Sequence, residues 1–195
     1  MLQKTVMSGI GGQGILFSGL CLAWTAMFEG REVTYLPSYG AEMRGGVTSC
    51  TVAISDEEIA SPVASSPDYL VIMDNESLMR LQSMAASGGE IYVNTSIVTG
   101  RPGRTDVEIV EIPATEIARE HIGRPVTNLV MLGGLAAFTG IVHLPAMLEA
   151  MRSHFPGSLG EKNSAAATAA YELVLSRLSH NGQHLTKETT GAHAD

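Results

Sequence analysis

Apolar and polar positions along the chain switch between two spacings. Short apolar runs bounded by turn residues predict strands, and longer stretches with apolar residues every three or four positions predict helices. The apolar run Thr5 to Met7 predicts a first strand, followed by the turn Gly9-Ile10-Gly11-Gly12-Gln13-Gly14. A helix opens directly from that turn, with Ile15, Gly19, Leu22, Ala23 and Ala26 at helical spacing to Phe28 and Gly30 as its C-terminal cap. The small residues Gly19 and Ala23 predict close packing of this helix on the sheet.

A second strand is predicted from Glu32 to Pro37 and a third from Val47 to Ile54, the latter with Thr48, Cys50, Val52 and Ile54 on one face. Asp56-Glu57-Glu58 turns the chain, and Ser61 to Pro67 reads as a loop or one short helix. The run Tyr69-Leu70-Val71-Ile72-Met73 suits a parallel strand buried on both faces. At its carboxyl end, Asp74 either faces a ligand or, with Asn75, caps a helix running to about Ala86. Gly88-Gly89 ends that helix, Glu90 to Asn94 is a further strand, Ile97 to Arg104 a turn, and Val107 to Ile112 an edge strand.

Helical spacing then takes over at Ala114 to His121, Asn128 to Gly140, Leu144 to Arg152 and Glu161 to Leu178. The order predicts an α/β fold: a Rossmann-like, mostly parallel sheet flanked by helices, with a helical C-terminal third. Residues 1–178 read as one domain and 179–195 as a disordered polar tail, whose histidines His180, His184 and His193 are solvated. Leu129 to Leu148 carries no charge, but Gly133, Gly134, Gly140, His143 and Pro145 argue for two buried helices over a membrane span. The flat Gly133 to Phe138 surface predicts an interface, one through which an isolated chain could dimerise.

Composition narrows the partners. The 195 residues are 45% apolar but only 5% aromatic, so the core is aliphatic, with most of the scattered methionines as filler. A net charge of -8 without a basic run argues against nucleic acid and anionic membranes. Met1 to Lys4 leads straight into a strand without a secretory signal, which predicts a cytoplasmic protein. Cys21 and Cys50, the two cysteines, are too few for an ordinary iron-sulfur cluster and read as buried and reduced.

The chemistry is limited in the same way. The chain has no phosphate-binding G-x-x-x-x-G-K-[ST], no G-x-S-x-G elbow, no H-E-x-x-H and no zinc spacing, so no catalytic residue and no metal site is assigned. The first glycine turn fits G-x-G-x-x-G, yet strand two lacks the terminal acid that would hold a ribose hydroxyl. A second glycine-rich loop, Tyr39-Gly40-Ala41-Glu42-Met43-Arg44-Gly45-Gly46, follows strand two. The candidate ligand-binding residues are therefore Gly9, Gly11, Gly12, Gln13, Gly14, Glu42, Arg44, Gly45 and Gly46. Arg44 either clamps a phosphate or a partner's carboxylate, or pairs with Glu42 or Asp56 at the surface.

Together the two loops resemble those of the gamma subunit of the 2-oxoacid:ferredoxin oxidoreductases, the 2-oxoglutarate type first and the pyruvate and ketoisovalerate types close behind. Asn128 with Met131-Leu132-Gly133, and Gly160-Glu161-Lys162-Asn163, fall where that family has similar segments. The resemblance implies a cytoplasmic complex of anaerobic metabolism that oxidatively decarboxylates a 2-oxoacid with coenzyme A, giving acyl-CoA, carbon dioxide and reduced ferredoxin. It implies thiamine diphosphate and magnesium on alpha and beta subunits, iron-sulfur clusters on a ferredoxin-like delta subunit, and coenzyme A handling at the two loops of this chain. An isolated chain is then expected to be inactive. The related indolepyruvate-type subunit shares the Gly-Gly-Gln-Gly wording, and an independent dinucleotide-binding protein remains the other alternative.

Overall fold

The computed structural model describes residues 1–39, 46–123 and 126–180. Its centre is a six-stranded sheet in the order β2-β3-β1-β4-β5-β6. The strands are β1 (Gln3–Ile10), β2 (Glu32–Tyr39), β3 (Val47–Ser55), β4 (Tyr69–Ile72), β5 (Glu90–Asn94) and β6 (Glu108–Ile112). From β1 through β4 and β5 to β6 the pairing is parallel. The exception is β3, which lies antiparallel between β1 and β2. The α/β class, the flanking helices and the helical C-terminal third are as the sequence predicts; the place of β3, between β1 and β2, is what it did not reveal.

The run Tyr69 to Ile72 is buried on both faces, as its composition requires, and its side chains alternate between two cores. Tyr69 and Val71 join the larger one with helix α1 (Ile15–Phe28) and the C-terminal helices. Leu70 and Ile72 join a smaller one with Val6, Ile91, Val93 and Leu78 of α2 (Asn75–Leu81). Helix α1 lies close against the sheet because Gly19 has no side chain: a Cβ there would collide with Cys50 Sγ and come within 3.0 Å of Tyr35 Cε2.

Four helices complete the fold: α3 (Ala114–Ile122), α4 (Asn128–Thr139), α5 (Leu144–His154) and α6 (Ser158–His180). Leu129 to Ala137 are all buried, which explains the charge-free stretch, and no helix among the described residues is long and apolar enough to cross a membrane. The break predicted near His143 is a tight joint. Its N–H, at the start of α5, donates to Glu29 Oε1 at 2.7 Å, so the residue that closes α1 also caps α5.

The interface expected on the Gly133 to Phe138 surface is corrected. That surface packs against α6 of the same chain: a Cβ on Gly133 would lie within 3.0 Å of the carbonyl oxygen, carbonyl carbon and Cα of Ala167, and one on Gly134 would collide with Ile112. Gly133 to Ala137 are buried in this way and are not free to join two copies. The helix also extends two residues into the expected tail, to His180; the rest of the tail, with His184 and His193, lies outside the described residues. Among the methionines, Met7, Met73, Met131, Met147 and Met151 are core, whereas Met27 and Met79 are exposed.

Cys21 on α1 and Cys50 on β3 are free thiols, each 1% exposed, and burial raises both to a pKa of about 12. Neither is expected to react with an aromatic disulfide reagent at pH 8 until the chain unfolds, when both should react; modification within minutes in the native state would refute this. Unfolded thiols ionise near pH 8.5, so what their protonated burial contributes is complete below that pH. It is lost as pH rises toward about 12.

Candidate functional site

The first glycine turn sits at the carboxyl end of β1. Gln13 N–H donates to Ile10 O at 3.1 Å, closing the turn, and Gly11 N–H donates to Gly46 O at 3.1 Å, tying it to the start of β3. Gly12, at φ 100, and Gly14, at φ 76, occupy the left-handed region that side chains disfavour. Gly14 is also the N-cap residue of α1, where it supplies no side-chain acceptor, and the first turn contains no acid. The positive end of α1 is therefore uncompensated by its own residues.

The candidate residues divide by role. Gly9 is needed for packing: a Cβ there would lie 2.7 Å from Ile15 Cδ1 and 2.9 Å from Met73 Cβ, and closer still to Gln13 Oε1. Gln13 braces the turn. Its Oε1 accepts Ile10 N–H at 2.8 Å and its Nε2 donates to Met73 O at 3.4 Å, so the amide spans the ends of β1 and β4. Gly46 is buried and serves through its carbonyl. Gly11 and Gly12 remain open: no described atom lies within 4 Å of a Cβ built on Gly12, and only ordinary contacts with Gly46 and Thr48 meet one on Gly11. Glu42, Arg44 and Gly45 lie outside the described residues.

β2 and β3 are antiparallel, so Tyr39 and Val47 lie at one end of the sheet. Because β1 also runs antiparallel to β3, that is the end carrying Gly11 to Gly14, so the residues flanking the second loop lie beside the first glycine turn. A depression of about 370 Å³ lies there, lined by Ile10, Gly11, Gly12, Gly14, Ile15, Leu16, Phe17 and Thr48. Its walls are largely apolar and its polar groups are mainly backbone. A cavity of about 310 Å³ with Arg101 and Arg177 belongs to the β6 edge, three strands from β1.

One contributor escaped the list of candidates. Asn128, at the start of α4, donates from Nδ2 to Gly14 O at 3.1 Å, and it lies so close that a Cβ on Gly14 would be 2.7 Å from that nitrogen. The family-like segment containing Asn128 was the available signal, but nothing local joins it to Gly14. Asp74, in contrast, is the cap of α2: Oδ1 accepts Ser77 N–H at 3.0 Å and Oδ2 accepts the Ser77 hydroxyl at 2.7 Å. His143 Nδ1 lies 3.0 Å from Glu29 Oε1, and His154 stacks on Trp24 at 3.5 Å; both are structural. No group of three metal-ligating side chains occurs among the described residues.

Residues 4–173 match the pyruvate ferredoxin/flavodoxin oxidoreductase family. The chain belongs to this family. The 2-oxoglutarate synthase subunit KorC of Methanocaldococcus jannaschii is 36% identical over 177 residues, which cover 89% of this chain and 95% of that one. The keto/oxoacid ferredoxin oxidoreductase gamma subunit of Geobacter sulfurreducens superposes with a TM-score of 0.82 at 28% identity, over 90% of this chain and 98% of its own. A 2-oxoglutarate:ferredoxin oxidoreductase of Magnetococcus marinus, solved with 2-oxoglutarate, coenzyme A and succinyl-CoA bound, shares the fold. Its TM-score is 0.82 at 21% identity, over 90% of this chain and 31% of its own. The resemblance drawn from the paired loops thus holds, and the gamma chain is one subunit of a 2-oxoacid:ferredoxin oxidoreductase.

Proposed function

We propose that this gamma chain binds or gates coenzyme A for a thiamine diphosphate-dependent complex that converts 2-oxoglutarate and coenzyme A to succinyl-CoA, carbon dioxide and reduced ferredoxin. The observation that carries the reading is the uncapped N-terminus of α1 beside the open, left-handed Gly12. Backbone N–H groups and a helix dipole directed at one place suit a pyrophosphate, and the apolar walls of the adjoining depression suit the aliphatic pantetheine arm. In this reading the Arg44 guanidinium and the Glu42 carboxylate, both outside the described residues, are the side-chain groups that the second loop offers a ligand. Binding the remote nucleotide here positions the reacting thiol at a centre on other subunits.

Thiamine diphosphate with magnesium belongs to the alpha and beta subunits in this reading, and the clusters to a ferredoxin-like delta subunit that passes electrons to ferredoxin. Both cysteines of this chain are buried and protonated, unsuited to ligate a cluster or attack a substrate. The choice of 2-oxoglutarate is supported by KorC, named for its 2-oxoglutarate synthase. Coenzyme A as ligand is supported by the Magnetococcus enzyme, which was solved with it bound.

Calorimetric titration tests the reading. Gly12→Val forces a β-branched side chain into the left-handed region, at the mouth of the anion site. It is expected to weaken coenzyme A binding to the assembled complex by about tenfold, equivalent to about 1.4 kcal/mol. Unchanged affinity would overturn the assignment. The isolated chain is expected to oxidise no 2-oxoacid.

A further inference from the structure

The glycine turn has no cap of its own, yet it is held from across the molecule. Gly14 O accepts Ser18 N–H at 3.0 Å along α1 and Asn128 Nδ2 at 3.1 Å from α4. The second bond fixes the tilt of the Gly14 peptide. Through that peptide it fixes the direction of the N–H groups that follow, at the mouth of the depression. Gly14 and Asn128 form one joint, since any side chain at position 14 would displace the amide.

The mount of this joint is rigid. Asn128 is 5% exposed and begins a helix whose next nine residues are buried and whose Gly133 rests on the backbone of α6. The arrangement also carries a stability cost, because Asn128 Oδ1 is buried without a donor among the described residues. An apolar residue would avoid that cost but could not hold the Gly14 carbonyl.

We infer that Asn128 is a positioning residue for coenzyme A: it does not touch the reacting atoms but holds the Gly14 peptide so that the turn and the first turn of α1 present their N–H groups to the pyrophosphate. The inference rests on the coenzyme A reading above and deepens it. It predicts a specific kinetic signature, because the defect lies in ground-state capture of the nucleotide half and leaves the 2-oxoacid site untouched.

The test uses the assembled complex with Asn128→Ala and with Asn128→Asp, which keeps the volume but has no donor for Gly14 O. Both are expected to raise the KM for coenzyme A about tenfold, the loss of roughly one positioned hydrogen bond. The KM for 2-oxoglutarate, the KM for pantetheine, which lacks the pyrophosphate, and kcat at saturating coenzyme A should each stay within about twofold. A residue that only stabilised the fold would lower the yield of active complex and leave every KM unchanged; that result overturns the inference, as does an equal rise in the KM for pantetheine. Gly12→Val distinguishes failure of the positioning role from failure of coenzyme A binding at this turn. If it raises the KM for coenzyme A while both Asn128 variants do not, the positioning role is wrong and the coenzyme reading stands; if none of the three raises it, both fall.

Discussion

Replacing Gly133 with valine is expected to lower the melting temperature of the chain by about 10 °C, the consequence of about 3 kcal/mol of overpacking in a domain of this size. A Cβ at this position lies within 3.0 Å of three backbone atoms of Ala167, and backbone in the middle of α6 cannot rotate aside as a side chain can. The two helices must separate, and the surrounding Leu129, Leu132 and Val174 contacts open with them. Gly103→Ala is the control: its Cβ would meet only Gln82 Oε1 at 3.9 Å, and its melting temperature should stay within about 2 °C. Circular dichroism melts decide the matter, and a Gly133→Val chain that melts with the wild type would show that α4 and α6 are packed less closely than described.

Removing the carboxylate of Asp74 should have the next largest effect. Asp74 is 3% exposed and ends a buried chain of bonds in which the Ser8 hydroxyl donates to Ser77 Oγ at 3.0 Å and Ser77 in turn donates to Asp74. Alanine removes the cap of α2 and leaves the Ser77 N–H and hydroxyl without their acceptor, a loss of about 2–3 kcal/mol. Asparagine keeps the Oδ1 acceptor for Ser77 N–H, so Asp74→Asn should cost less than about 1 kcal/mol. Neither change should alter the KM for coenzyme A. A stable Asp74→Asn complex with a raised KM would instead give this carboxylate a place in the ligand site.

The features legible in the sequence were those punctuated locally. Gly14 and Gly30 bracket α1, and the helix runs from Ile15 to Phe28 as its spacing indicates. Asp74 precedes a helix in which Ser77 presents its N–H three residues on, so the capping alternative could be weighed from composition alone. The hairpin between β2 and β3 was also legible, but the glycine-rich wording drew attention to ligand binding. Only residues 40–46 separate the two strands, fewer than the dozen or so a parallel crossover requires.

What stayed hidden depends on distance along the chain. Nothing near Gln13 says that its amide turns inward to Met73, and nothing near Asn128 points to a glycine 114 residues earlier. The small residues of α4 did announce a close helix contact. Their partner lies within the same chain, where Ser164-Ala165-Ala166-Ala167 in α6 offers the matching small surface.

The place of β3 has one more consequence, for the evolution and redesign of ligand specificity. In a nucleotide-binding sheet where the first two strands are neighbours, an acid ending the second reaches the ribose of a dinucleotide lying over the first. Here a whole strand separates them, so the end of β2 stands about 10 Å from β1 in the plane of the sheet. An aspartate grafted at Pro37 or Ser38 would fall short of such a ribose. Conversion to a nicotinamide-binding protein is closed to point mutation and would require excision of β3, which frees this glycine turn to keep the sequence wording of one ligand class while serving another.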